Sequence, residues 1–245
     1  MERWMGKVAV VTGASSGIGA ATAKALARAG MITIGLGRRV ERIEALKGEL
    51  RGDAAKRLFA IRCDVTREED IVEAFNLIET EYGGVDVQVN CAGLARNASR
   101  VLQAHTGKDL RDVVDTNLLG EAFCCREAFL SMRKRSVVGH IVNVNSIAGH
   151  SVPKVRWLNI YPATKFGITA LTETIRHELR VAGSPIKITS ISPGLTRTPM
   201  NRDSETYPGP ILEPEDVADA ILYAVGTPPT VQVHELTIKP VGEAQ

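Results

Sequence analysis

The run Lys7-Val8-Ala9-Val10-Val11-Thr12, followed at once by Gly13-Ala14-Ser15-Ser16-Gly17-Ile18-Gly19 and an alanine-rich stretch to Ala29, constrains this chain more than any other. A short β-branched run of this kind suits a strand buried on both faces, as in a parallel sheet. Ala20 to Ala29, with Leu26 on the helical period, reads as a helix, so the unit is strand, glycine turn, helix. In that setting Gly13 and Gly17 permit backbone conformations or close approaches that a Cβ would forbid, and Gly19 permits tight helix–strand contact. The helix start offers unpaired N–H groups to a phosphate. A glycine loop of purely structural use is the alternative. The strand before it and the helix after it favour a dinucleotide site that includes Ser15, Ser16 and Ile18.

Six more strands are expected at Met31 to Leu36, Leu58 to Arg62, Val85 to Asn90, His140 to Asn145, Ile186 to Ile191 and Val231 to Ile238. Helices are expected at Val40 to Leu50, from a capping box at Thr66-Arg67-Glu68-Glu69 to about Tyr82, at Lys108 to Lys134, at Tyr161 to Arg180 and at Glu213 to Gly226. The expected fold is α/β: a Rossmann-type, doubly wound, mostly parallel sheet of seven strands flanked by helices, in a single domain spanning 1–245. The Pro- and Gly-containing segment 195–212 follows a strand end and reads as a substrate lid or a surface excursion.

In such sheets ligands bind beyond the carboxyl ends of the strands, so Gly13, Asn90 and Ser146 should share one rim. Gly37-Arg38-Arg39 follows the second strand, and the first carboxylate after it is Glu41. A carboxylate there would suit the ribose of NAD, whereas arginine accommodates a 2′-phosphate, so Arg38 and Arg39 favour NADP(H) unless they are simply solvated. Asp64 could accept a hydrogen bond from an adenine amino group or cap a turn. The small residues of Asn90-Cys91-Ala92-Gly93 leave room for a ribose or nicotinamide, or make a tight turn. Asn117 is awkward in a helix interior unless its amide is used.

Tyr161-Pro162-Ala163-Thr164-Lys165 sets a phenol and an amine four residues apart, on one helix face. Pro162 is tolerable only in a first turn, which puts Tyr161 near the helix start. A free tyrosine ionises near pH ~10, and an adjacent cation favours the phenolate. The pair is a candidate acid/base centre, although the spacing alone also fits an ordinary amphipathic helix.

The formal net charge of +2 is too small to argue for a nucleic-acid or membrane-surface partner, and Arg133-Lys134-Arg135 suits a solvated helix end. Four cysteines without C-x-x-C spacing and five scattered histidines point to reduced thiols and no metal site. No run approaches the length of a membrane span and the start lacks an apolar leader, so a cytoplasmic location is expected.

Taken in order, Gly13-x-x-x-Gly17-x-Gly19, Asn90-x-Ala92-Gly93, Asn117, Ser146, Tyr161-x-x-x-Lys165 and Pro193-Gly194 resemble the short-chain dehydrogenase/reductase family over nearly the whole chain. Ala92-Gly93-Leu94-Ala95-Arg96 and the ending Val231 to Pro240 look like the branch of the farnesol dehydrogenases and dehydrogenase/reductase member 11. The resemblance implies an NADP(H)-dependent oxidoreductase acting on an alcohol/carbonyl pair. Tyr161 would exchange a proton with the substrate oxygen, and Ser146 would hydrogen-bond it. Lys165 would hold ribose hydroxyls, and Asn117 would keep a water in the proton relay. By the same resemblance Asp64 would meet adenine, Asn90 and Gly93 the cofactor near its ribose, and Thr196 its phosphate or carboxamide, with Val65, Ala92, Pro193 and Gly194 also at the cofactor. A homodimer or homotetramer is implied as well.

Two departures stand out. Cys91 replaces an asparagine that braces the sheet in the family, and Ser146 and Tyr161 are 15 positions apart, a little longer than common. Val152, Pro153, Trp157, Leu158, Leu195 and Met200 are candidate apolar pocket residues, pointing to an isoprenoid, steroid or small aromatic carbonyl. His150 lines the entrance or is a loop histidine. A nucleotide-binding regulator without turnover is the alternative, and the four filled positions Asn117, Ser146, Tyr161 and Lys165 count against it.

Overall fold

Strands β1 (Val8–Thr12), β2 (Ile32–Gly37), β3 (Leu58–Arg62), β4 (Val87–Asn90), β5 (His140–Val144), β6 (Lys187–Pro193) and β7 (Glu235–Ile238) form one sheet in the order β3-β2-β1-β4-β5-β6-β7. Every neighbouring pair is parallel. In this computed structural model, residues 1–96, 99–154, 158–201 and 207–243 are described. The helices are α1 (Gly17–Arg28), α2 (Val40–Ala45), α3 (Glu68–Tyr82), α4 (Gly107–Val114), α5 (Gly120–Lys134), α6 (Tyr161–Val181) and α7 (Pro214–Gly226). The single-domain, doubly wound fold expected from the sequence is therefore present.

Alternation along β1 feeds two cores. Ala9 and Val11 join Leu26, Val87, Val89, Ile191, Val217 and Ile221 on the face covered by α1 and α7. Val8 and Val10 join Ile34, Ile71, Ile78, Met132, Ile141 and Ile188 on the face of α3, α5 and α6. Because both faces are covered, β1, β4, β5 and β6 are buried along their whole lengths. The winding direction reverses at β1, whose neighbours are β2 and β4, so the crevice at the carboxyl ends of these strands is where the topology places a ligand.

Four expectations need correction. The expected helix 108–134 is two helices separated by a π-helical turn, Asp115–Leu119, centred on Asn117. The helix expected at 40–50 ends at Ala45 and continues as a 3-10 turn. The capping box at Thr66 does not form, because the Asp64 carboxylate accepts from both the N–H and the hydroxyl of Thr66, at 3.1 and 2.8 Å, and α3 starts at Glu68. The last strand starts at Glu235 rather than Val231, since the carbonyls of Val231 and Val233 accept instead from Lys187 Nζ and Thr189 Oγ1. Among the described residues no helix is long and apolar enough to cross a membrane.

Candidate active site

The turn after β1 is as tight as its glycines allow. Gly13 has φ +67°, and a Cβ there would lie 2.8 Å from the Ala92 Cα; a Cβ on Gly19 would run into the Gly13 carbonyl. Gly17, at φ +55°, starts α1 beneath Thr198, and no side chain caps that helix start. Ile18 packs on the core below. These features leave a backbone cradle with N–H groups facing outward, which fits a pyrophosphate.

Arg39 leans back over this cradle and donates to Ser15 Oγ at 2.9 Å and Ser16 Oγ at 3.4 Å. Arg38 is 71% exposed and its Nη1 lies 3.7 Å from Asp64 Oδ2. Asp64 thus caps a turn through one oxygen and faces Arg38 with the other. Val65 turns its side chain to the core, and its carbonyl lies where a Cβ on Gly120 would be.

Beside the cradle, Thr12 Oγ1 accepts from the N–H groups of Cys91 and Ala92, both at 3.1 Å, and so binds the loop after β4 to the end of β1. The Asn90 side chain turns into the sheet, donating to Asn143 Oδ1 at 2.9 Å and Cys125 Sγ at 3.2 Å while accepting from Gln88 at 2.7 Å. Its side chain is thus committed to the sheet rather than to the crevice. Sheet bracing therefore rests on Asn90, Asn143 and Thr12, which accounts for the tolerance of Cys91; burial pushes that thiol up to about 12.

The π-turn gives Asn117 its orientation. Its Oδ1 accepts from Leu94 N–H at 2.7 Å, and its Nδ2 donates to Leu94 O at 2.9 Å and Thr164 Oγ1 at 3.2 Å. The amide thus joins the loop after β4 to the first turn of α6. Tyr161 opens α6 with Pro162 in the first turn, as the sequence requires. Lys165, one turn later and 4% exposed, donates to the Val144 carbonyl at 2.8 Å, and its Nζ lies 5.9 Å from the centre of the Tyr161 ring. Ser146 follows Val144 by two residues, and its Oγ accepts from Ala148 N–H at 3.1 Å at the start of a 3-10 turn that packs on α6.

The segment after β6 comes back over the cradle. Thr196 pairs with Leu212 in a parallel bridge, which closes the base of 195–212, and its hydroxyl donates to Gly194 O at 3.0 Å. Met200 Cε lies 3.2 Å from the place a Cβ on Gly93 would take. Leu195 and Leu158 are half-buried, whereas Val152 is 66% exposed. Trp157 and residues 202–206 lie outside the described residues. His150 shares hydrogen bonds with Ser192 Oγ and Glu235 Oε1, at 3.0 and 3.3 Å, and so ties the turn after β5 to β6 and β7.

Thr12, Thr198, Glu121 and Glu243 escaped sequence reasoning. Thr12 matters through its bonds to the Cys91 and Ala92 N–H groups and Thr198 through its side chain over Gly17, contacts that no spacing encodes. Glu121 follows Asn117 by one turn, is buried with Oε1 unpartnered, and burial raises it to about 8 against the opposing pull of Lys165. A carboxylate on the buried face of a helix beside Cys124 and Cys125 was the available signal.

The chain is similar to known proteins over its whole length. A family model described as short chain dehydrogenase matches residues 7–208. A farnesol dehydrogenase of Aedes aegypti is 57% identical, with 99% of each chain covered, and dehydrogenase/reductase SDR family member 11 of Bos taurus is 42% identical, with 98% of each covered. Among solved structures, an alcohol dehydrogenase from Thermococcus sibiricus complexed with 5-hydroxy-NADP superposes with a TM-score of 0.83 at 28% identity, covering 98% of each chain. A closed form of serine dehydrogenase complexed with NADP+ gives 0.85 at 29% identity, covering 97% of this chain and 96% of that one. With the glycine cradle, the Tyr161–Lys165 pair and these likenesses in agreement, the chain belongs to the short-chain dehydrogenase/reductase family, in the branch that holds dehydrogenase/reductase member 11 and the farnesol dehydrogenases.

Proposed function

We propose that the chain is an NADP(H)-dependent oxidoreductase acting on an alcohol/carbonyl pair, with Tyr161 as general acid/base. The observation that carries this reading is the placement of Lys165, buried at the end of β5 with its ammonium 5.9 Å from the Tyr161 ring centre. The pair sets a hydroxyl that can exchange a proton with a substrate oxygen one helical turn from an ammonium that can hold a hydroxylated ligand beside it.

Bound NADP(H) supplies or accepts the hydride. The cradle of Gly13, Gly17 and Gly19 would hold its pyrophosphate, and Ser15, Arg38 and Arg39 would meet the 2′-phosphate. Ser146 would orient the substrate oxygen toward Tyr161. The Asn117 amide, fully engaged with Leu94 and Thr164, acts in this reading by holding the loop after β4 against α6. The segment 195–212 serves as a lid, and Leu158, Leu195 and Met200 line an apolar pocket beneath it. That lining, with the likeness to a farnesol dehydrogenase, supports a long isoprenoid alcohol and its aldehyde as the substrate pair.

Exposed Leu130 on α5 and Phe166 on α6 support assembly as a homodimer or homotetramer. Four free cysteines suit a reducing compartment such as the cytoplasm. The test is a panel of isoprenoid, steroid and aromatic alcohols and carbonyls, followed by NAD(P)H absorbance in both directions with NADPH and NADH. Turnover of an isoprenoid pair with NADP(H) is expected. Tight NADPH binding with no turnover across the panel would favour the regulator instead.

A further inference from the structure

Beyond β7 the chain turns back toward the active-site rim. Glu243 N–H donates to Pro240 O at 3.2 Å, and Gly242, at φ +85°, makes the turn possible. The turn delivers the Glu243 carboxylate to the loop after β6. There Oε1 accepts from Leu195 N–H at 3.0 Å, while Oε2 accepts no hydrogen bond and faces the Lys239 ammonium at 3.7 Å. The side chain is 12% exposed. Gly194 is what admits it, because a Cβ at that position would overlap Oε2.

Leu195 is also where 195–212 begins. Its carbonyl accepts from Leu212 N–H at 2.9 Å, next to the Thr196–Leu212 bridge, so both roots of the segment are joined at the residue that Glu243 holds. The far root is touched as well, since Pro210 Cγ lies 3.6 Å from where a Cβ on Gly242 would be.

We propose that the C-terminal turn is a latch on the lid, and that Glu243 is a positioning residue that slows cofactor exchange by fixing Leu195. This rests on the reading of the chain as an NADP(H) oxidoreductase with 195–212 as its lid. Glu243 touches neither the reacting atoms nor the glycine cradle, so its loss should change how long the cofactor stays and not how fast hydride moves. The carboxylate is a charged acceptor for a backbone N–H, and losing such a bond corresponds to about a tenfold effect.

The experiment compares the wild-type chain with Glu243→Ala and Glu243→Gln. NADPH release by stopped-flow fluorescence is expected to be about tenfold faster in Glu243→Ala, with the single-turnover rate at saturating NADPH within about twofold of wild type. Glu243→Gln keeps an acceptor for Leu195 and should recover most of the loss. Deuterium uptake over 193–201 and 207–212, read without cofactor, should rise in Glu243→Ala and stay unchanged over α1. Release from Glu243→Ala within about twofold of wild type, or unchanged uptake, would each overturn the latch. A wild-type chain that binds no NADPH while uptake still rises in Glu243→Ala would sink the cofactor reading alone and leave the hold on the lid root standing.

Discussion

Arg39 Nη2 donates to Ser15 Oγ at 2.9 Å, so the residue after β2 and the glycine turn after β1 close one polar crevice where the winding of the sheet reverses. Under the NADP(H) reading proposed above, Arg38 and Arg39 meet the phosphate on the adenosine ribose. Arg38→Asp and Arg39→Ala should each weaken NADPH by about tenfold or more and NADH by no more than about threefold, since a charge-assisted bond to phosphate is lost only with the first. Equal weakening of both nucleotides, measured by fluorescence titration, would show that the arginines do not read the 2′-phosphate.

Asn117 makes a second linkage testable. Its amide satisfies both the N–H and the carbonyl of Leu94, so Asn117→Ala strands two backbone groups that are now paired. A loss of about 1–3 kcal/mol in unfolding free energy is expected. Hydrogen exchange should quicken at Leu94, and kcat should fall. Asn117→Asp keeps the acceptor and loses the donor, and should lie between. Wild-type stability and exchange in Asn117→Ala would contradict the assigned role.

Two buried groups shape stability against pH in opposite directions. Burial raises Glu121 from its ordinary 4.5 to about 8, so the folded chain holds a proton there that the unfolded chain has released; this stabilisation is complete below pH 4.5 and lost as pH rises through 8. Burial, with Lys187 and Arg3 nearby, depresses His140 from 6.5 to about 3, so its stabilisation is present above pH 6.5 and lost as pH falls toward 3. Together they place the maximum between pH 4.5 and 6.5, and the decline from 6.5 to 8 belongs to Glu121. Urea unfolding of Glu121→Gln at both ends of that window should show little of the decline. An undiminished fall in the variant would assign it elsewhere.

The glycine turn, the strands and the start of α6 were legible in the sequence because each is fixed locally: by a missing Cβ, by an apolar run, by a proline that only a first turn accepts. What escaped was set by distant partners. Thr66 has capping-box spacing, but Asp64 captures it first. Asn117 marks a π-turn rather than a helix interior, and nothing within 108–134 announces that Leu94 is its partner. Asp64 was readable either as an adenine partner or as a turn cap, and only the folded chain shows its Oδ1 capping the turn at Thr66. Glu243 and Leu195 are 48 residues apart, and only the parallel pairing of β7 with β6 brings them together.

Tyr161→Phe tests the central claim most directly, with NADPH affinity and isoprenoid carbonyl reduction measured on the same protein. The phenol oxygen is removed while the cradle, Arg39 and Lys165 stay in place, so NADPH should bind within about threefold of wild type and kcat should fall by about 100-fold or more. A Tyr161→Phe variant that turns over at the wild-type rate would contradict the assignment of Tyr161 as the acid/base group.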